Sequence, residues 1–84
     1  MRVKVRYFLP CSERTVRSDE EIELEEGSSL RDLIQEIHRR YGIGDLISSS
    51  FITVNGKGAP QLSGLDTKLR PGDVICFMPP LSGG

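Results

Sequence analysis

Leu30, Leu33, Ile34, Ile37 and Tyr41 fall at i, i+3, i+4, i+7 and i+11, which draws one apolar stripe along a helix. Arg31, Asp32, Glu36, Arg39 and Arg40 line its other side. A helix with a single apolar stripe must press that stripe against another element. The remaining apolar runs are short, and either alternate with period two or are closed off by turn residues, so that other element is a sheet. The ends of the helix are also written in the sequence. Ser29 can accept from the free amides of the first turn, and Asp32 three residues on completes a capping-box pattern. Asp32 near the start and Arg39 and Arg40 near the end suit the helix dipole, and Gly42 is a natural stop. His38 reads as an exposed helix residue.

The first strand is predicted over residues 2–9. Val3, Val5, Tyr7 and Leu9 share one face, and Arg2, Lys4, Arg6 and Phe8 share the other. Pro10 cannot donate to a ladder, so the strand ends there and a polar loop follows. A second strand is predicted over residues 20–24, with Ile22 and Leu24 inward and the glutamates outward. After the helix, residues 44–50 read as a loop or short turn, and residues 51–54 as a third strand. That strand runs into Asn55-Gly56, a strong reversal signal. Gly58, Pro60 and Gly64 leave room for no more than a short strand near residues 59–62. Pro71-Gly72-Asp73 turns the chain again into residues 74–78, a β-branched apolar run too short for a helix and read as a central strand.

Composition narrows the function classes. Eighty-four residues hold one core, and 37% hydrophobic with 27% charged residues is ordinary for a soluble domain. A net charge of -1 lacks the positive field with which nucleic-acid binders neutralise phosphates. The basic residues Arg2, Lys4 and Arg6 and the acidic run from Asp19 to Glu26 are either solvated strand faces or a charged rim on a protein-binding face. Cys11 and Cys76 lack the spacing of a zinc or redox motif, and His38 alone cannot complete a metal site. No secretory signal or membrane-length apolar run is visible, which predicts a cytoplasmic protein with reduced thiols. Gly56-Lys57-Gly58 has the composition of a phosphate loop without its spacing and reads as a hairpin turn.

The chain ends in Pro79-Pro80-Leu81-Ser82-Gly83-Gly84. Two prolines forbid further strand pairing and favour an extended backbone, so the stem is expected to project from the body. Gly83 and Gly84 remove every side chain near the α-carboxylate, which lets that end thread a narrow channel in a partner. A bare carboxylate is resonance-stabilised, so its use as an acyl donor requires a phosphate-bearing leaving group, supplied from ATP by another protein. The bland alternative is a frayed terminus.

The predicted order is strand, strand, helix, strand, short strand, strand. It resembles the ubiquitin-like β-grasp fold: α+β, a mixed sheet of four to five strands with one main helix across one face. Residues 1–78 would be the domain, with the first and last strands central, and residues 79–84 its projecting tail. The sequence further resembles the small subunit of molybdopterin synthase, within the ubiquitin-like sulfur carriers. The resemblance rests on Val3 to Phe8, on Gly27-Ser28-Ser29-Leu30-Arg31-Asp32-Leu33, on Val54-Asn55-Gly56, on Leu69-Arg70-Pro71-Gly72-Asp73-Val74 and on the Pro-Pro-Leu-Ser-Gly-Gly end. It implies that a ubiquitin-activating-type adenylyltransferase adenylates Gly84 and that sulfur replaces AMP to give a thiocarboxylate. The large synthase subunit would then use that sulfur to build molybdopterin. Gly83 would provide the side-chain-free approach, and Pro79, Pro80, Leu81 and Ser82 the inserting stem. Phe8, Leu62 and Met78 would form the docking face near the tail, unless Phe8 is a strand residue half covered by a loop. The chain would be a cosubstrate holding no cofactor of its own, with the catalytic residues on its partners. Two other uses of the same end stay open: conjugation of Gly84 to protein lysines, and sulfur delivery for thiamine or cysteine synthesis.

Overall fold

The computed structural model describes residues 1–8 and 19–78. Leu9, Pro10, Cys11 and the tail residues Pro79, Pro80, Leu81, Ser82, Gly83 and Gly84 lie outside the described residues. Among the described residues, five strands and two α-helices appear in chain order: β1 (Arg2–Tyr7), β2 (Asp19–Glu23), α1 (Leu30–Tyr41), α2 (Gly44–Ser48), β3 (Phe51–Val54), β4 (Lys57–Gly58) and β5 (Val74–Met78). They build one mixed sheet in the order β2-β1-β5-β3-β4, with α1 as its main helix.

β5 is the central strand. It runs parallel to β1, with Val5 opposite Ile75 and Tyr7 opposite Phe77, and antiparallel to β3, with Ile52 opposite Phe77 and Phe51 opposite Met78. The side chains that share one phase, Val3, Val5 and Tyr7 of β1, Ile75 and Phe77 of β5 and Ile52 and Val54 of β3, are buried against Leu30, Leu33, Ile34 and Ile37 of α1. The helical stripe and the period-two strands thus meet in one core, as their spacing requires.

The helix ends follow the sequence. Asp32 N–H donates to the Ser29 hydroxyl at 3.3 Å, and Ser29 N–H donates to the Asp32 carboxylate at 2.9 Å. Gly42 stops the helix at φ 68°, with its N–H on the His38 carbonyl at 2.7 Å. At the β3–β4 reversal, Asn55 and Gly56 both take positive φ, 53° and 85°, as a tight hairpin demands.

Three expectations change. Residues 44–50 hold the short helix α2, whose packing buries Ile47, and Ile43 just before it is buried as well. Gly44 N–H donates to His38 Nδ1 at 2.8 Å, so His38, although exposed, ties the end of α1 to the start of α2. The short strand falls at Lys57–Gly58, directly after the reversal, and Ala59–Gln61 is a 3-10 turn started by Pro60. The third change concerns Glu20. It shares the phase of Ile22, and its side chain is only 6% exposed on the helix side of the sheet, whereas Glu21 and Glu23 point outward as expected. Two tyrosines explain why a carboxylate is tolerated there: Tyr7 donates to it at 2.8 Å and Tyr41 at 2.9 Å, so it is hydrogen-bonded rather than merely buried.

Candidate functional site

The side chains of β1, β5 and β3 that do not enter the core point away from α1. On β1 these are Arg2, Lys4, Arg6 and then Phe8, and on β5 they are Val74, Cys76 and Met78. Phe8 N–H donates to the Phe77 carbonyl at 2.8 Å and continues the β1–β5 ladder one residue past its last pair, Tyr7 with Phe77. Phe8 and Met78 are therefore next in register, and Met78 is paired in turn with Phe51 of β3. Phe8, Met78 and Phe51 form a lateral row across three adjacent strands on the helix-free face.

The row is apolar and open. Phe8 is 54% exposed and Phe51 38%, while Met78 between them is half-buried. The Phe51 ring edge lies over Gly58, where an added Cβ would meet it at 3.2 Å. Phe51 also borders a shallow groove of about 220 Å³ with Pro60 and the exposed Leu65. Among the described residues no charged side chain interrupts this row, and clustered outward apolar side chains are the kind of surface that a partner can cover. It also stands where β5 hands the chain on to residues 79–84.

Of the expected docking residues, Phe8 and Met78 are brought together. Leu62 is exposed but lines a different pocket with Asn55, Lys57, Arg70 and Asp73, beside the β3–β4 reversal. That pocket is at the Val74 end of β5, and the strand separates it from Met78 by about 13 Å. Phe51 was missed. Its signal was available, because Ile52 and Val54 are the inward phase of β3 and Phe51 is out of step with them. The tail residues Pro79, Pro80, Leu81, Ser82, Gly83 and Gly84 lie outside the described residues.

Behind the row, on the core side, Tyr7 stacks on Phe77 with ring centres 5.9 Å apart and meets Tyr41 edge-on at 6.5 Å. Burial, and then the hydrogen bond to Glu20, hold the Tyr7 phenol protonated far above its ordinary range. On the outer face the basic residues of β1 are matched across the ladder by acids of β2: Arg2 faces Glu23, Lys4 faces Glu21 and Arg6 faces Asp19. Arg2 closes ion pairs there, to Glu21 at 3.6 Å and to Glu23 at 3.3 Å, and the N-terminal ammonium of Met1 joins Glu23 at 3.3 Å. Cys76 is a free, half-buried thiol on the same face, between Arg6 and Thr53 in the ladders. Among the described residues no three His, Cys, Asp or Glu side chains converge on a metal position, and no helix is long and apolar enough to cross a membrane.

Comparison with known proteins bears on the whole of this arrangement. The model of the ThiS family matches residues 5–84. The candidate molybdopterin converting factor subunit 1 from Pyrococcus furiosus is 34% identical, with a TM-score of 0.77 over 95% of this chain and 98% of that one. Helicobacter pylori molybdopterin-converting factor, solved as a complex of its subunits 1 and 2, is 28% identical with a TM-score of 0.70 and full coverage of both chains. Small archaeal modifier protein 1 from Methanosarcina acetivorans is 26% identical with a TM-score of 0.80, covering 99% of this chain and 96% of its own. No curated protein matches the chain. Since the family match extends over the β-grasp sheet and on to residue 84, this chain belongs to the ThiS family of ubiquitin-like sulfur carriers.

Proposed function

We propose that this chain is the sulfur-carrying small subunit of a molybdopterin synthase, with the carboxylate of Gly84 as its working group. The observation that carries this choice among sulfur carriers is full-length likeness to two molybdopterin converting factor subunits, at 34% and 28% identity. The apolar row at the Met78 end of the sheet supports it, because a carrier must seat its body on a partner while its tail reaches that partner's active site.

The chemistry proceeds in three steps. The Gly84 carboxylate attacks the α-phosphate of ATP on an adenylyltransferase, giving an acyl-adenylate and releasing pyrophosphate. A sulfur nucleophile then adds to the acyl carbon and expels AMP, leaving a thiocarboxylate. On the large subunit, sulfur passes to the cofactor precursor and water restores the carboxylate. The carrier contributes reach and recognition. Gly83 lets the end pass a narrow channel, and Pro79 and Pro80 stiffen the stem that presents Leu81 and Ser82. Phe8 and Met78, joined by Phe51, provide the seat; Leu62 would join it only in a footprint spanning the length of β5. The reactions belong in the cytoplasm, where ATP and the activating partner are at hand.

The test is binding and loading together. Calorimetry should detect a complex of the full chain with a molybdopterin synthase large subunit and none with a thiazole synthase. Deleting Gly84 should abolish loading by the adenylyltransferase with ATP and sulfide while the melting curve stays unchanged. Binding to the thiazole synthase alone would overturn the pathway. A second reading, conjugation of Gly84 to protein lysines, is favoured by the likeness to the archaeal modifier protein at 26% identity. Lysines of other proteins in the native cell that carry a branch ending in Leu81-Ser82-Gly83-Gly84 would support it.

A further inference from the structure

The buried carboxylate of Glu20 stands among groups that lead directly to the Phe8–Met78 edge. Its oxygens take the Tyr7 hydroxyl at 2.8 Å and the Tyr41 hydroxyl at 2.9 Å, with an Arg40 guanidinium nitrogen at 3.6 Å. Arg40 is itself held by Glu36 of the preceding helical turn at 2.7 Å. One residue of β2 thus grips the last turn of α1 and the last residue of β1 together. Apolar side chains in place of the whole cluster would fill this space at lower desolvation cost, so stability alone does not call for a carboxylate here.

What the carboxylate adds is direction. The last β1–β2 pair among the described residues is Arg6 with Asp19, so Tyr7 lies past it and Phe8 further still. Tyr7 is fixed through its hydroxyl by Glu20 and through its ring by Phe77. Phe8 and Met78 are the next residues on the two strands so fixed, and they turn to the opposite face of the sheet. Any rotation or slip of Tyr7 would be passed to both, because Phe8 N–H is bonded to the Phe77 carbonyl.

From this geometry we infer that Glu20, acting through Tyr7, is a positioning residue that sets the Phe8–Met78 edge for partner docking. The inference deepens the proposed function and rests on it only for the identity of the partner. Hydroxyl bonds of this kind confer orientation that hydrophobic packing leaves loose.

The test uses the full chain with the substitutions E20Q, Y7F, Y41F and F8A. Two quantities are measured well below each melting midpoint: the Kd for the large synthase subunit, and the Met78 methyl resonance in the free chain. E20Q and Y7F should each weaken the complex roughly fivefold and shift or broaden the Met78 methyl signal. The double variant should be no weaker than either single, since both break one chain of contacts. An unchanged Kd and an unchanged Met78 resonance, with only the melting point lowered, would overturn the inference. If E20Q does not fold, Y41F, which removes one of the two hydroxyl bonds without touching β1, must show the same shift in smaller degree; no shift refutes it. F8A separates the two levels. If F8A leaves Kd unchanged, the proposed docking face falls, and the Met78 resonance in E20Q still decides whether Glu20 sets this edge.

Discussion

Replacing Phe8 by alanine tests the proposed docking face where it is most open. A phenylalanine side chain offers about 200 Å² to a partner, and the 54% of Phe8 left uncovered in the free chain corresponds to about 110 Å². Burying that area would contribute about 2.8 kcal/mol at ~25 cal/mol per Å². Alanine retains a small share, so F8A should lose about 2 kcal/mol of binding, or about 30-fold in Kd. Conversion of area into affinity is this efficient only for aromatic anchors near the middle of an interface, and the size of the loss therefore reports where Phe8 sits in the footprint. The assay is calorimetric titration of the large synthase subunit, with thermal unfolding of the free variant alongside. An exposed side chain contributes little to the fold, so the melting point should move by no more than a degree or two. A Kd within twofold of the parent chain, with unchanged melting, would refute the placement of Phe8 in the interface.

Other outcomes follow from the body of the domain. S29A removes the hydroxyl half of the capping box and should cost about 1 kcal/mol, a fall of about 6 °C in Tm for a domain of this size, read by circular dichroism. Glu36 carries a pH signature. Hydrogen bonds from Arg39 and then Arg40 lower its carboxyl from 4.5 to about 2 in the folded chain. Its contribution is therefore fully present above pH 4.5 and is lost as pH falls toward 2. Asp32, lowered chiefly by the Ser29 backbone N–H, acts in the same direction. Tm should fall through that window, and E36Q should flatten part of the fall; an identical slope in E36Q would contradict the pairing. G44A should destabilise the chain by about 1 kcal/mol, since its Cβ would lie 2.6 Å from His38 Nδ1 and 2.8 Å from its Cγ. In an H38A background the same change should be neutral or stabilising, because alanine favours a helix over glycine by about 1 kcal/mol.

Which features could be read from the sequence depended on how local their causes are. Helix α1 needs only its stripe, its Ser29–Asp32 cap and Gly42, all within fourteen residues, and it is found where they put it. Strand β5 was legible from the turn before it and its β-branched start, and its central place from its apolar character. Glu20 was misread because charge was allowed to override phase. It lies two residues before Ile22 and must share its face, and the hydroxyls that make this tolerable come from Tyr7 and Tyr41, distant in sequence. Helix α2 is too short to show a period, and Ile43 and Ile47, four apart, were its only signal. On the candidate docking face, Phe8 was legible from alternation, and Met78 only through the family resemblance. Leu62 was not, since its position depends on the path of the 3-10 turns through residues 59–66, which no local pattern dictates.

The assignment of Gly84 as the sulfur-bearing group is tested most directly by intact mass spectrometry of the chain isolated from its native cell under non-reducing, thiol-free conditions. A sulfur carrier predicts a population heavier than the parent by the difference between one sulfur and one oxygen atom, located by fragmentation to Gly84 and lost on incubation with the large synthase subunit and precursor. A chain found only with an unmodified carboxylate, or only joined through Gly84 to lysines of other proteins, would contradict it.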